Sequence, residues 1–309
     1  MPAAIAIVGS LNMDFIVHVD RLPQPGETLL GSGFEMLPGG KGANQAYAVA
    51  RLGGTAAMIG SVGKDLFGQQ LILNLESVGV ECAAISKTPA STTGTAMIAV
   101  EKSGQNQIVV APGANNQLDP HHVLSALNQI DPKYLLLQLE IPIEIVERTL
   151  ALARSRNIFT ILDPAPARAL EAHLLSFVDL LTPNESEALC LLGRTGNRLP
   201  LEQAPEVAEA LHQMGPKRVV LKLGENGAWF TDGNYRRHFP APTVLPIDVT
   251  AAGDTFNGAL SVALAEGHGV DWAIEFANKA AALSVTKPGA QASIPSRQEV
   301  DRLHPTANS

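Results

Sequence analysis

Short aliphatic runs alternate with helically spaced segments along most of the chain, and this alternation narrows the choice of folds more than any other feature. The runs are AIAIVG (3 to 8), AAMIGSVG (56 to 63), YLLLQL (134 to 139), IFTILDP (158 to 164), VDLLTP (178 to 183) and RVVLKLG (218 to 224). Segments with apolar residues at helical spacing follow most of them, among them FGQQLILNLESVG (67 to 79), IEIVERTLALARSRN (143 to 157) and LEQAPEVAEALHQMG (201 to 215). Strand and helix in alternation predict an α/β protein whose parallel sheet is covered on both faces. Ligands of such sheets bind beyond the C-terminal ends of the strands.

Two stretches depart from this rhythm. Residues 15 to 37 (FIVHVDRLPQPGETLLGSGFEML) and 94 to 111 (GTAMIAVEKSGQNQIVVA) look like strands with no helix between them, the second a hairpin turning at Ser103-Gly104. Such strands predict a small separate sheet, serving as a flap over the site or as a dimer surface. The last third turns mostly helical, from TFNGALSVALAEG (255 to 267) through WAIEFANKAAALSVT (272 to 286). With no internal repeat and no low-complexity linker, residues 1–309 read as one domain with strands inserted at 15–37 and 94–111.

At 46% hydrophobic and 17% charged residues, the 309-residue chain is long and apolar enough to bury a substantial core. Disorder does not fit this hydrophobicity, and no apolar run approaches the ~20 residues of a membrane span. The start, MPAAIAIVGSLNMD, has no basic leader, so a cytoplasmic protein is expected. A balance of 30 Asp+Glu against 22 Lys+Arg, net charge −8, disfavours sequence-independent binding to nucleic acid. A small anion stays within reach, because N–H groups at a helix start hold phosphate without a basic surface. Cys82 and Cys190 lie far apart without CxxC spacing, which argues against a disulfide framework or zinc site and for two reduced core thiols. The eight histidines form no HxxxH or HExxH arrangement, and no GxSxG nucleophile elbow occurs. Neither histidine-metal nor serine-hydrolase chemistry is expected.

The strongest local signal is DVTAAGDTFNGAL (248 to 260), where Ala251, Ala252 and Gly253 precede Asp254 and a helical pattern begins. Two readings fit. In one, Asp254 is a helix N-cap and the small residues are a tight packing point. In the other, small side chains let an anion approach the helix-start N–H groups while Asp254 acts beside it as a general base. The second signal is LPGGKGANQAYAVARLGG (37 to 54), in which Gly39, Gly40 and Gly42 permit positive φ and close backbone approach. It is neither GxxxxGK[ST] nor GxGxxG. Either it is an ordinary glycine-rich turn, or Asn44 on the first helical turn offers donor and acceptor atoms to a polyhydroxyl ligand. GSLNMD (9 to 14) sets Asn12 and Asp14 two apart, on one side of an extended chain and suited to sugar hydroxyls, unless it forms an Asx turn. In TPNESEAL (182 to 189), Asn184 and Glu187 have capping-box spacing, and the same pair suits the water shell of Mg²⁺.

Together, GGKGANQA (39 to 46) and DVTAAGDTFNGAL resemble the two signatures of the ribokinase/PfkB family of sugar kinases. The resemblance extends, in family order, to GSLNMD, QLEIP (138 to 142), DPAPA (163 to 167), TPNESEA, KLGENGAW (222 to 229) and KPGAQASIP (287 to 295), nearly the whole chain. It implies a ribokinase-like three-layer αβα sandwich with a mostly parallel central sheet and a small β-sheet lid that also forms a homodimer contact. The implied reaction is in-line phosphoryl transfer from MgATP to O5 of D-ribose, giving ribose 5-phosphate.

By the same resemblance, Asp254 matches the base that deprotonates the sugar's 5-hydroxyl, and the N–H groups around Ala251, Ala252 and Gly253 match the anion hole for the γ-phosphoryl. Asn12, Asp14, Gly40, Lys41, Asn44 and Glu140 match positions that hold ribose hydroxyls. Asn184 and Glu187 match the magnesium-associated motif. Lys222, Leu223, Gly224, Glu225, Asn226 and Gly227, with Asn184, Gly253 and Asn278, match the ATP site. Asp248, Thr250, Ser284, Lys287, Gly289 and Ser293 would surround an activating monovalent cation, K⁺, mostly through backbone carbonyls, so the Lys287 side chain need not approach the ion. Two residues depart from the pattern: Asp163, where the family often carries Asn, and Lys222, where Thr is also common. Lys222 is equally readable as a strand-end surface lysine.

These features favour a sugar kinase acting on ribose. A kinase of 2-deoxyribose, another sugar or a nucleoside is the nearest alternative, since contacts to one hydroxyl decide between them. A non-catalytic sugar or nucleotide sensor on the same fold is a further one, and Asp254 with its small neighbours argues against it. A nicotinamide-dependent dehydrogenase would need a glycine fingerprint that is absent.

Overall fold

Alternation along each buried strand sends neighbouring side chains to opposite faces of a sheet. In the computed structural model, which describes residues 5–102 and 105–303, Ile5 and Ile7 enter one apolar layer while Ala6 and Val8 enter the other. The chain begins with β1 (Ile5–Val8), β2 (Asn12–Val19), β3 (Gly33–Gly39), α1 (Lys41–Arg51), β4 (Ala56–Gly63), α2 (Leu66–Glu76), β5 (Ile85–Thr88), β6 (Gly94–Glu101) and β7 (Asn106–Ala111). It continues through α3 (Pro120–Ile130), β8 (Tyr134–Leu137), α4 (Ile143–Ser155), β9 (Phe159–Leu162), α5 (Ala172–Leu175), β10 (Leu180–Leu181), α6 (Glu185–Leu191) and α7 (Ala204–Gln213). The last elements are β11 (Val219–Lys222), β12 (Ala228–Thr231), β13 (Arg236–Phe239), α8 (Ala252–Ala265), α9 (Val270–Ser284) and α10 (Arg297–Arg302).

The large sheet has nine strands in the order β13-β12-β11-β10-β9-β8-β1-β4-β5. All neighbours from β11 to β5 are parallel, and β12 and β13 add an antiparallel edge. One face packs on α1, α2, α8, α9 and α10 through residues such as Val49, Leu71, Leu260, Ile274 and Val300. The other packs on α3, α4, α6 and α7 through Leu127, Leu150, Leu189 and Leu211. The mostly parallel sheet between two helical layers is the predicted class. The aliphatic runs did not reveal β5, β12 or β13. Burial explains two of them, since β13 (RRHF) buries only Phe239 and β5 (ISKT) only Ile85, whereas β12 (AWFT) buries three of its four residues and is simply short. Of the two thiols expected in the core, Cys82 is buried, whereas Cys190 on α6 is only half-buried; both are free.

A second sheet of four strands has the order β3-β2-β6-β7. Here β2 pairs antiparallel with β3 from Asn12↔Gly39 to His18↔Gly33, and parallel with β6 from Asn12↔Gly94 to Val19↔Glu101. The expected hairpin is the antiparallel pair β6–β7; its proposed turn at Ser103-Gly104 lies outside the described residues. The inserted strands reach further than expected, because β2 starts at Asn12 and β3 runs to Gly39, so both end at the site. Phe15 of β2 meets Phe67 of α2 edge-on at 5.4 Å and ties the small sheet to the core.

Two glycines set how closely α1 approaches the loop after β1. Gly40 precedes the helix with φ 89°, a conformation that side chains disfavour. At Gly42 a Cβ would stand 2.7 Å from Gly9 Cα, Gly9 C and Ser10 N, all backbone atoms that cannot swing aside. Gly42→Ala is therefore expected to lower the unfolding free energy by about 1–3 kcal/mol through overpacking. Urea denaturation checks this, and an unchanged midpoint would contradict so tight a contact.

Candidate active site

The carboxyl ends of the parallel strands and the start of α8 enclose a cavity of about 370 Å³, lined by Lys41, Asp163, Asn184, Glu187, Lys222 and residues 251–254 among others. This is the position the strand topology assigns to a ligand. A neighbouring cavity of about 880 Å³ shares Lys222, Gly224, Ala252 and Gly253 with it. The two together form a continuous cleft across the first turn of α8.

Of the two readings of Asp254, the N-cap is not the one observed. Ala251 occupies that place, with a left-handed φ of 58°, and α8 begins at Ala252. Asp254 lies in the first turn, buried, with each carboxylate oxygen accepting from an amide. Asn44 Nδ2 donates to Oδ2 at 2.9 Å, and Gln45 Nε2 donates to Oδ1 at 3.1 Å. Burial pushes the carboxyl up to about 6, with Asp163 adding to the rise and Lys41, Asn44 and Gln45 opposing it. The helix start also leaves donors exposed. Ala252 N–H turns back to the Val249 carbonyl at 3.3 Å. The N–H groups of Gly253 and Asp254 meet no acceptor among the described residues. Gly253 has no side chain of its own to shield its N–H.

The start of α1 supplies the opposite wall. Glu140 Oε2, just beyond β8, accepts from Ser10 Oγ at 2.5 Å and from Lys41 N–H at 3.1 Å. The carboxylate thus anchors the first turn of α1, and Asn44 and Gln45 of that turn reach Asp254. Burial acts against charge on the Lys41 ammonium, but Asp254, Asp163, Glu140 and Glu187 around it hold its pKa above the ordinary range. GSLNMD is extended from Asn12 onward rather than an Asx turn. Asn12 Oδ1 accepts from Asn115 Nδ2 at 2.8 Å. Asp14 is pushed up to about 7, by burial first and then by the charges of Glu140 and Asp254. Asn12, Asp14, Gly40, Asn44 and Glu140 line neither cavity. They gather on the side of Asp254 that faces the four-stranded sheet.

Lys222, Leu223, Gly224, Glu225, Asn226, Gly227, Gly253 and Asn278 all line the larger cavity. Asn278 donates from Nδ2 to the Phe239 carbonyl at 2.9 Å. Asn184 lines the smaller cavity with Glu187. The two form the expected capping box on α6: Asn184 Oδ1 accepts from Glu187 N–H at 2.9 Å, and Glu187 Oε2 accepts from Asn184 N–H at 2.7 Å. Burial raises the Glu187 carboxyl, against the pull of Lys222. Among the described residues no three His, Cys, Asp or Glu side chains are grouped to hold a metal ion directly.

Around the loop before α8, Asp248 accepts from Thr250 N–H at 2.9 Å and from Gly289 N–H at 2.8 Å, joining the two segments expected to share a cation. Burial acts to raise its carboxyl, but these bonds hold it below the usual range. Ser284 and Ser293 turn their hydroxyls to their own helical turns, at Ala281 and Ala290. Lys287 Nζ pairs with Glu299 at 2.6 Å and so points at α10.

Sequence reasoning passed over Gln45, Gln138 and Gln291, which bind the site together. Gln138 Nε2 donates to Gln45 Oε1 at 2.7 Å, and Gln291 Nε2 donates to Asn44 Oδ1 at 3.1 Å. Gln45 directly follows Asn44 in the glycine-rich motif, so adjacency to a candidate was the one signal available. Asp163, noted only as a departure, accepts from Gln45 at 3.0 Å and pairs with Lys222 at 2.8 Å.

Residues 3–297 match the pfkB family of carbohydrate kinases. The chain is 41% identical over 302 residues to the ribokinase of Bacillus subtilis, covering 97% of this chain and 98% of that one. It is 33% identical over 300 residues to the deoxyribokinase of Salmonella typhi, covering 96% of each. The structure of Arabidopsis thaliana ribokinase complexed with ribose and ATP superposes with a TM-score of 0.88 at 32% identity, covering 98% of both chains. With a family match over nearly its whole length and relatives of this identity, the chain belongs to the pfkB family of carbohydrate kinases.

Proposed function

We propose that the protein transfers the γ-phosphoryl group of ATP to O5 of D-ribose. The observation that carries this reading is the pairing, on one helical turn, of unpartnered N–H groups at Gly253 and Asp254 with the buried Asp254 carboxylate. A phosphoryl group at those amides stands beside a base able to take a proton from an attacking hydroxyl. The amides of Gly253 and Asp254 steady the charge on the transferring group, with Ala251 and Ala252 keeping its approach clear. Each Asp254 oxygen accepts one bond from an amide, which orients the carboxylate and leaves lone pairs for the sugar's proton.

In this reading Asn12, Asp14, Gly40, Lys41, Asn44 and Glu140 hold the sugar under the four-stranded sheet, which is a lid inserted into a single ribokinase-like domain. The larger cavity takes the nucleotide along Lys222–Gly227 and Asn278. The ribokinase relatives support ribose as the sugar; the deoxyribokinase relative makes 2-deoxyribose the competing substrate. Mg²⁺ suits Asn184 and Glu187, whose oxygens are already oriented by each other's N–H groups and whose single carboxylate fits an ion that keeps most of its waters. When bound it would offset phosphate charge. K⁺ would lie among Asp248, Thr250, Ser284, Lys287, Gly289 and Ser293, and the pairing of Lys287 with Glu299 draws the Lys287 ammonium toward α10, where it does not compete with the ion.

We also read the protein as a cytoplasmic homodimer joined through the lid; among the described residues no helix is long and apolar enough to cross a membrane. The dimer is supported by Phe34, Met97, Ile108 and Val109 of the small sheet, which are 53–69% exposed. An apolar patch on a lid calls for cover.

Coupled ADP release tests the reaction: turnover with ribose exceeding that with 2-deoxyribose supports it, and no sugar-dependent release rejects it. Asp254→Asn should lower kcat by about 10²–10⁴-fold while calorimetric sugar binding persists. The pH profile follows from the raised carboxyls. A base must be ionised, so kcat/KM for the sugar should fall as pH drops from 7 through 6, where Asp254 takes up a proton. That loss is not unfolding, because groups with native pKa values above their unfolded ones favour the folded state increasingly as pH falls. A profile flat down to pH 5 would contradict the assignment. Val109→Lys should convert the dimer to a monomer in sedimentation velocity; a dimer unmoved by it would place the contact elsewhere.

A further inference from the structure

The two departures from the family pattern are the two ends of one ion pair. Asp163 follows β9 and Lys222 ends β11, with β10 between them, yet Lys222 Nζ lies 2.8 Å from Asp163 Oδ1. Their side chains are 3% and 11% exposed. A lysine at a strand end ordinarily carries its ammonium out to water. This one bends across the end of β10 toward α8, so close that a Cβ on Gly253 would stand 3.3 Å from Nζ. Of its three N–H donors, Asp163 takes one and no second acceptor among the described residues meets it.

The other oxygen of Asp163 is also engaged. Gln45 Nε2 donates to Asp163 Oδ2 at 3.0 Å and to Asp254 Oδ1 at 3.1 Å. Gln45 cannot turn its amide over, because Oε1 accepts from Gln138 at 2.7 Å and a flip would set oxygen against two carboxylates. Asp163 is thus braced from behind and holds Lys222 in front.

We propose that Asp163 is a positioning residue that clamps Lys222 over the start of α8, and that Lys222 uses its remaining N–H donors on the terminal phosphates of the nucleotide. This rests on the reading that the chain transfers phosphoryl from ATP. A neutral Asn–Thr pair at these positions would carry the same net charge, so the ion pair adds no net charge to the cavity. What it adds is a donor long enough to reach the phosphates, with its counter-charge tucked behind it. Asn at 163 cannot do the same: Lys222 and Gln45 donate to different oxygens of Asp163, and an amide would set its NH2 group against one of the two donors.

The test compares calorimetric binding of ATP and of adenosine, with Mg²⁺ present, for the intact protein, Lys222→Met, Asp163→Asn and the paired Lys222→Thr/Asp163→Asn. Lys222→Met should weaken ATP by about 10- to 100-fold, the loss of a charge-assisted bond, and leave adenosine within about twofold. Asp163→Asn should weaken ATP as well and raise KM for ATP, with KM for ribose unmoved. The paired variant leaves no buried charge unmatched and so keeps the test open if a single variant does not fold. Its ATP affinity should be no weaker than that of Lys222→Met, because Asp163 acts on ATP through Lys222 and the pair leaves no lone carboxylate to repel the phosphates. ATP binding unchanged in Lys222→Met, equal losses for ATP and adenosine, or single-variant losses that multiply in the pair would each overturn the proposal. Binding is read without turnover. A wild type that binds ATP but leaves ribose untouched therefore counts against the substrate reading and leaves the clamp to be judged on its own.

Discussion

The site depends on a carboxylate that is withdrawn from water and yet not silenced. Burial alone would drive Asp254 far toward its neutral form, and a neutral acid cannot act as a base. Lys41 and the amides of Asn44 and Gln45 oppose that drive, leaving the group poised near 6. A carboxylate in that range is ionised at neutral pH but not so stabilised that it refuses a proton, the condition under which general-base catalysis is most effective. Everything that positions Asn44 and Gln45 therefore also tunes this carboxyl, the base of the proposed reaction, including Gly42, which lets α1 close on the β1–β2 loop, and Glu140, which anchors the Lys41 N–H.

The placement of Asp254 on α8 joins two properties that are hard to combine. A helix start leaves N–H groups unsatisfied, and burying them without a partner is costly. Opening them to a cleft removes that cost and makes them an anion site. Ala251 completes the arrangement by taking the left-handed N-cap position that would otherwise fall to a capping side chain. An N-cap Ser or Asp would fold its oxygen onto the free amides and fill the space a phosphoryl group needs. The small residues before Asp254 are thus the absence of a cap as much as room for a ligand.

Much of this was legible in the chain, for reasons that can be named. Strands buried on both faces must be continuously apolar, so β1, β4, β8, β9, β10 and β11 stand out as aliphatic runs. Edge strands have no such obligation, and β13, with exposed Arg236 and Arg237, carries no pattern to detect. The motifs identified single residues at the candidate ligand site or at a helix end. They did not identify Gln45, Gln138 or Gln291, because a residue that orients another has no characteristic spacing; its partners lie 93 to 247 positions away. The ambiguity over Asp254 had a similar origin. N-cap and first-turn positions differ by a few residues, and only the dihedral of Ala251 tells them apart.

The charge distribution along the cleft divides it into two ends with different chemistry. On the sugar side, Asp14 is raised to about 7 by burial and by its acidic neighbours Glu140 and Asp254. Hydroxyls both donate and accept, so such a group binds a polyol in either protonation state, and crowding acids there carries little penalty. Phosphate tolerates no such freedom, since every unpaired carboxylate near it repels. On that side the acids are accordingly engaged: Asp163 with Lys222, and Glu187 with the backbone and side chain of Asn184. In the proposed reaction Asp254 stands at the boundary, where a proton leaves an alcohol as negative charge arrives from the opposite direction. Its two amide donors, Asn44 and Gln45, both come from α1 and fix the carboxylate from one side.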